Sequence, residues 1–229
     1  SADQMLTFSL QIGVADAEQW WGAIAMAIAY LRGTYGDLAD AAGEFAGRYD
    51  TAVSWHGSHA WTLIEAGRPD EAREIVERHA LDRPERFPVD DFAISTLGYV
   101  AFVAMLLERS AMGAAIETEL RPYEDLWMSI EVYCFGPVTW PLAAAVSAQR
   151  RFEEADELFA RTDRLLEERG LRLARNMMRR DWVLTLSRSD SPAHLAQART
   201  LAELGAATAA QDGHDRLTQT FQELRASLG

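Results

Sequence analysis

Two histidines, His56 and His59, lie one helical turn apart between Trp55 and Trp61. A metal ion held there would need further ligands, and the local sequence offers none. No metal site is therefore expected, and two readings stay open: a groove-lining polar pair among aromatics, or ordinary, partly buried histidines. No His-Glu-x-x-His and no Gly-x-Ser-x-Gly motif occurs. Cys134 is the single cysteine, so no intrachain disulfide and no multi-cysteine zinc site can form. Among its aromatic neighbours it reads as a small buried apolar group. All 22 basic residues are Arg. Without Lys there is no Walker A phosphate loop, no Schiff base or pyridoxal-phosphate chemistry and no kinase core. No catalytic residue and no cofactor are expected, and the chain reads as a non-enzyme.

Two other sets could bind rather than react. Trp20, Tyr30, Trp55, Tyr99, Trp140 and Trp182 all fall on the first helices of predicted helix pairs. First helices line the concave side of a solenoid, which would give an aromatic groove. Packing between repeats is the competing reading, since Trp and Tyr fill cores and anchor interfaces alike. The stretch from Arg161 to Arg180 concentrates positive charge, and Arg172, Arg175 and Arg179 share one helical face. They could dock an acidic partner or a phosphate group. They could equally pair with the acidic helix just before them.

The elements that must position these groups are helical. Phe152, Ala155, Leu158, Phe159, Thr162, Leu165 and Leu166 recur at steps of three and four and place one apolar stripe on one face. Ala72, Ile75, Val76, His79 and Ala80 repeat the form after Gly67-Arg68-Pro69-Asp70-Glu71, where Pro suits the first helical position and acids its positive end. Asp16 with Gln19, Pro88 with Asp90 and Asp91, and Ser191-Pro192 mark further starts. No alternating strand pattern appears. The spacing predicts an all-α chain with helix pairs over 16–33 and 37–49, 52–66 and 69–81, 89–108 and 111–128, 137–149 and 151–169, and 171–187 and 191–212, closed by 214–228. Ala72, Ala155 and Ala198 hold equivalent places early in second helices, where a small side chain allows close approach. The stretch Phe92–Leu107 is apolar almost all round and should be the most buried helix.

The 229 residues allow one or two domains. With 48% apolar and 25% charged residues, wholesale disorder is excluded. The 35 acidic residues leave a net charge of −13, which argues against nucleic acid as a direct partner. Neither long uncharged stretch, Phe92–Leu107 or Val132–Gln149, reads as a membrane span. The chain begins Ser-Ala-Asp-Gln-Met, without a signal-peptide pattern. Its first Ser, with no Met before it, reads as a cut from a longer protein, with residues 1–15 the remnant of a preceding element. A cytoplasmic location is expected.

Gly67-Arg68-Pro69-Asp70-Glu71-Ala72 resembles the Gly-x-x-x-x-Ala turn of tetratricopeptide repeats. Arg151-Phe152-Glu153-Glu154-Ala155 with Phe159 is similar, with Arg150 where Gly is usual. Unit lengths of about 35–45 residues fit helical repeats, whose pairs must stack to bury their stripes. The fold expected is a tetratricopeptide-like α-solenoid of about five antiparallel helix pairs plus a C-terminal capping helix, one domain over 1–229. Glu18-Gln19-Trp20-Trp21, the Gly33–Ala46 stretch, Gly136-Pro137-Val138 and the Phe152–Gly170 helix resemble the C-terminal helical-repeat region of large bacterial ATP-dependent signalling regulators. In those proteins an AAA-type or STAND-type ATPase precedes the repeats. A class III cyclase domain precedes that ATPase, or a LuxR-type helix-turn-helix follows the repeats. The resemblance implies a non-catalytic sensor that binds a protein, a peptide, a neighbouring domain or a small effector and biases a linked ATPase. The alternative is a structural oligomerisation scaffold.

Overall fold

Apolar stripes at helical spacing fold here into twelve α-helices among the described residues, which in this computed structural model are 2–229 except 15, 91, 131 and 132. The helices are α1 (Ala2–Gln11), α2 (Ala17–Leu31), α3 (Ala39–Arg48), α4 (Val53–Glu65), α5 (Pro69–Arg78), α6 (Ala93–Leu106), α7 (Ser110–Leu120), α8 (Thr139–Ala148), α9 (Phe152–Glu168), α10 (Arg172–Ser187), α11 (Pro192–Gln211) and α12 (Asp215–Ser227). A 3-10 turn, Tyr35–Leu38, leads into α3. Pro69 and Pro192 open their helices as expected, and Gly67 and Gly170 close theirs at φ 75° and 66°. Arg150 takes the same left-handed place after α8 at φ 61°, standing where glycine is usual. Asp16 does not cap α2 with its side chain; it accepts a bond from Gln19 Nε2 instead, at 3.3 Å. The expected helix start at Asp91 lies outside the described residues.

The all-α expectation needs one correction. Residues after α7 do not continue as helix to 128: a 3-10 turn around Pro122 ends it, and an antiparallel hairpin follows, β1 (Trp127–Ile130) and β2 (Tyr133–Pro137). Trp127 pairs with Pro137 and Met128 with Gly136, but Ser129 pairs with Cys134, so Phe135 is the extra, bulged residue. Tertiary packing decides the hairpin. Met128 fills a notch on α6 that exists because residue 98 is Gly, and Ser95 Oγ on α6 donates to the Ser129 carbonyl at 2.9 Å. Strands this short and partly aromatic carry too little alternation to be read from sequence.

The helices α4, α6 and α8 lie side by side. Helix α5 packs on α4, α7 on α6 and α9 on α8, and α10, α11 and α12 follow on from α9. Close approach uses small residues: Ala72, Ala155 and Ala198 are fully buried, and a Cβ at Gly113 of α7 would stand 2.5 Å from the Ala145 carbonyl of α8. Of the stretch 92–107, Ser95 to Met105 is buried, as its apolarity predicts, but Phe92 at its start is 39% exposed. All of α8 is equally buried, from Thr139 to Ala148. Its hydroxyls find partners, Thr139 with Thr162 at 2.7 Å and Ser147 with Thr185 at 2.9 Å. No helix among the described residues is long and apolar enough to cross a membrane.

At the centre Trp61 is wholly buried, with Tyr35 and Phe102 at 4.8 Å and Tyr30 at 5.0 Å between ring centroids. It ties α2, the 3-10 turn, α4 and α6 together. Trp61→Ala should cost about 3–5 kcal/mol of stability, read as a fall in the urea midpoint with an unchanged slope.

Candidate functional site

One face of α2 carries Gln19, Trp20, Ala23, Met26 and Ala27, residues that helical periodicity sets on the same side. That face does not close fully on α4. Between them is a cavity of about 490 Å³, within the range of small-molecule sites. Trp55 and Ser58 of α4 form the opposite wall, together with Thr51, Ala52 and Ser54 before and within its first turn. Tyr35, Tyr99 of α6 and Phe135 of β2 supply the aromatic floor. Asp16, Asp90 and Phe92 complete the lining.

Several polar atoms of this cavity are already paired. Trp55 Nε1 donates to Gln19 Oε1 at 3.2 Å, and the hydroxyls of Tyr35 and Ser58 bond at 2.7 Å. Asp90 Oδ1 accepts from the Phe92 amide at 2.9 Å. Burial pushes the Tyr35 and Tyr99 hydroxyls well above their ordinary pKa, so both remain neutral. The charged side chains in the lining are the carboxylates of Asp16 and Asp90. Aromatic walls with carboxylates and, among the described residues, no cation in the lining favour a ligand with an apolar body and a positive or neutral polar end.

Trp20, Trp55 and Tyr99 are thus brought together as the groove reading requires. The other aromatics follow the packing reading. Tyr30 is buried against Trp61, with its hydroxyl unpaired. Trp140 donates to buried Asp181 at 3.0 Å, and Trp182 stacks on Phe159 and donates to Asp156 at 2.7 Å. Neither histidine lines the cavity. His59 is half-buried against Gly43 of α3, and burial followed by the nearby His56 lowers its pKa. His56 instead stacks on His79, the residue after α5, beside Asp50. Tyr35, Phe135, Asp90 and Gln19 were not singled out as binding residues. Phe135 depends on the unread hairpin, and Gln19 reads in the sequence as part of a helix start with Asp16.

Arg175 and Arg179 pair with the preceding helix α9 and Arg172 with Asp212 after α11, rather than presenting a free row. Arg175 and Arg179 both bond the Asp163 carboxylate of α9, at 2.6–2.8 Å and 2.7–3.1 Å. Arg175 also reaches Glu167, and Arg172 pairs with Asp212 at 2.8 Å. These residues border a smaller cavity of about 310 Å³ near Asn176 and Thr208. Cys134 was expected to be buried but is exposed. The bulge turns Phe135 inward and leaves Cys134 on the outer face of β2.

Comparison of the chain with family models, with curated proteins and with solved structures finds no match. The site is therefore read from its own geometry.

Burial raises the Asp163 pKa, but the bonds from Arg175 and Arg179 outweigh it and hold the carboxyl below its usual range. Its stabilising contribution is present above the unfolded value of about 3.9 and is lost as pH falls through the folded value. Asp163→Asn should lower stability at neutral pH by about 1–3 kcal/mol. Chemical denaturation at a series of acidic pH values should show the variant losing less stability than wild type on acidification.

Proposed function

We propose that this chain is a non-catalytic, tetratricopeptide-like repeat module whose cavity between α2, α4, α6 and the hairpin binds an effector. The observation that carries the reading is the convergence of Trp20, Trp55, Tyr99 and Phe135 on one cavity with Asp16 and Asp90 in its lining. The effector is a small organic cation, or a cationic side chain of a peptide, seated on aromatic faces. Because α2 and the Tyr35 turn form one side and α4, α6 and the hairpin the other, a ligand bridging them favours one spacing of these elements. Such a ligand shifts a linked ATPase only by its difference in affinity for the two spacings. The sensor role within a bacterial ATP-dependent regulator rests on the resemblance of Glu18-Gln19-Trp20-Trp21, the 33–46 stretch, Gly136-Pro137-Val138 and the 152–170 helix to such proteins.

The experiment is a ligand-observed NMR screen of small aromatic amines against wild type and Ala23→Phe, which fills the cavity from α2. Wild type is expected to give hits whose affinity drops at least about tenfold, ~1.4 kcal/mol, in the filled variant. Hits that bind both proteins equally would remove the cavity from the account.

A second reading, an oligomerisation scaffold, has its own observation. Phe8, Leu10 and Ile12, in and just after α1, are 60%, 51% and 61% exposed, an apolar surface of the kind that marks interfaces. That reading predicts a mass in light scattering that rises with concentration in wild type and not in Phe8→Asp. A strict monomer at all concentrations counts against it.

A further inference from the structure

The turn between α3 and α4 and the end of α5 meet at a cluster of three potential ligands that the cavity does not use. Asp50 lies in that turn, His56 in the first turn of α4 and His79 directly after α5. The imidazoles stack with centroids 3.5 Å apart and planes within 15°. Ring nitrogens of both histidines and a carboxylate oxygen of Asp50 lie within 4.8 Å of one another. His56 is 4% exposed and the Asp50 side chain 74% exposed, so the cluster has a buried base and an open mouth.

We propose that Asp50, His56 and His79 form a binding site for a divalent transition-metal ion, zinc foremost. Two imidazoles and one carboxylate are the donor set of open zinc sites, which leave a fourth position to water. Nitrogen donors select zinc, copper or nickel over magnesium and calcium. Tetrahedral ligands about 2.0–2.1 Å from zinc stand roughly 3.3 Å from each other. The Asp50 carboxylate already stands 3.5 Å from His56 Nε2, so closure on an ion is a rotation of the His79 ring out of the stack that turns both nitrogen lone pairs toward one point. A ligating imidazole must be neutral, so an ion at this cluster competes with protons for the ring nitrogens. Without an ion, the contact between His56 Nε2 and the Asp50 carbonyl at 2.8 Å holds the ring. Ligation through Nε2 requires the tautomer with its proton on Nδ1 and exchanges that contact for the ion. The ion would clamp α5 to the turn that supplies Thr51, Ala52 and Trp55 to the cavity wall.

The sequence hides this site because its ligands come from three segments. His56 and His59 draw the eye as a pair, but three residues along α4 His59 faces Gly43 instead.

The test titrates the EDTA-stripped protein with zinc chloride and with cobalt chloride. One equivalent of cobalt should bind with the visible absorption of a low-coordinate site, and zinc should displace it at micromolar concentration. His79→Ala and Asp50→Ala, both outside the packed core, should weaken zinc binding at least about tenfold with unchanged circular dichroism. His59→Ala should bind as wild type does. Histidine ring resonances in wild type give a readout that needs no variant: those of His56 and His79 should shift on zinc addition. Absence of saturable binding in wild type, or undiminished affinity in either His79→Ala or Asp50→Ala, overturns the proposal.

Discussion

Packing around the Trp61 ring is the constraint on which core and cavity both depend. Tyr30 and Tyr35 approach it from the α2 side, Phe102 and Tyr99 from α6, and Phe135 bridges Tyr30 and Tyr99 from the hairpin. Tilted and edge-on rings at 4.8–6.0 Å contribute beyond the area they bury. Tyr35, Tyr99 and Phe135 are members of this cluster on one side and lining of the cavity on the other. The site thus shares its floor with buried core residues. The unpaired Tyr30 hydroxyl and Trp61 Nε1 are a cost that the cluster carries.

Buried charge fixes the far half of the array to the near half. Asp181 is fully buried and accepts from Trp140 Nε1 of α8 and from Arg180. Arg180 in turn reaches Glu65 at the end of α4, at 2.9 Å. Burial pushes the Asp181 carboxyl upward, and Arg180 and the Trp140 N–H oppose that shift. A charge so placed tolerates few arrangements of α4, α8 and α10, so it specifies relative position more than it stabilises. Further out, Arg216 of α12 donates to the Gly33 carbonyl at 3.2 Å beside Asp37, joining the last helix to the α2 turn.

Helices were legible wherever one apolar stripe met one polar face, as in α9, or where Gly-x-Pro marked a boundary, as in α5. The small residues Ala72, Ala155 and Ala198 announced their close contacts in the same way. The hairpin was not legible, because Met128 and Phe135 take their places from Gly98 and from the aromatic cluster rather than from local alternation. For the same reason Phe135 of the cavity floor is not legible in the sequence, while Trp20, Trp55 and Tyr99 are marked by their helix positions. Trp140 and Trp182 shared those positions yet became core, since composition cannot tell which buried face an N–H will satisfy. The Arg strip resolved toward Asp163 by an antiparallel return that the sequence already allowed.

Charge selectivity in an aromatic cavity is the central claim, and one calorimetric comparison addresses it most directly. Tryptamine and indolepropionate share an indole body and differ in the sign of the terminal charge. The account predicts that tryptamine binds wild type at least about tenfold more tightly than indolepropionate, ~1.4 kcal/mol, and that Asp16→Asn with Asp90→Asn narrows the gap. Equal affinities, a preference for the anion, or no heat from either compound would contradict it.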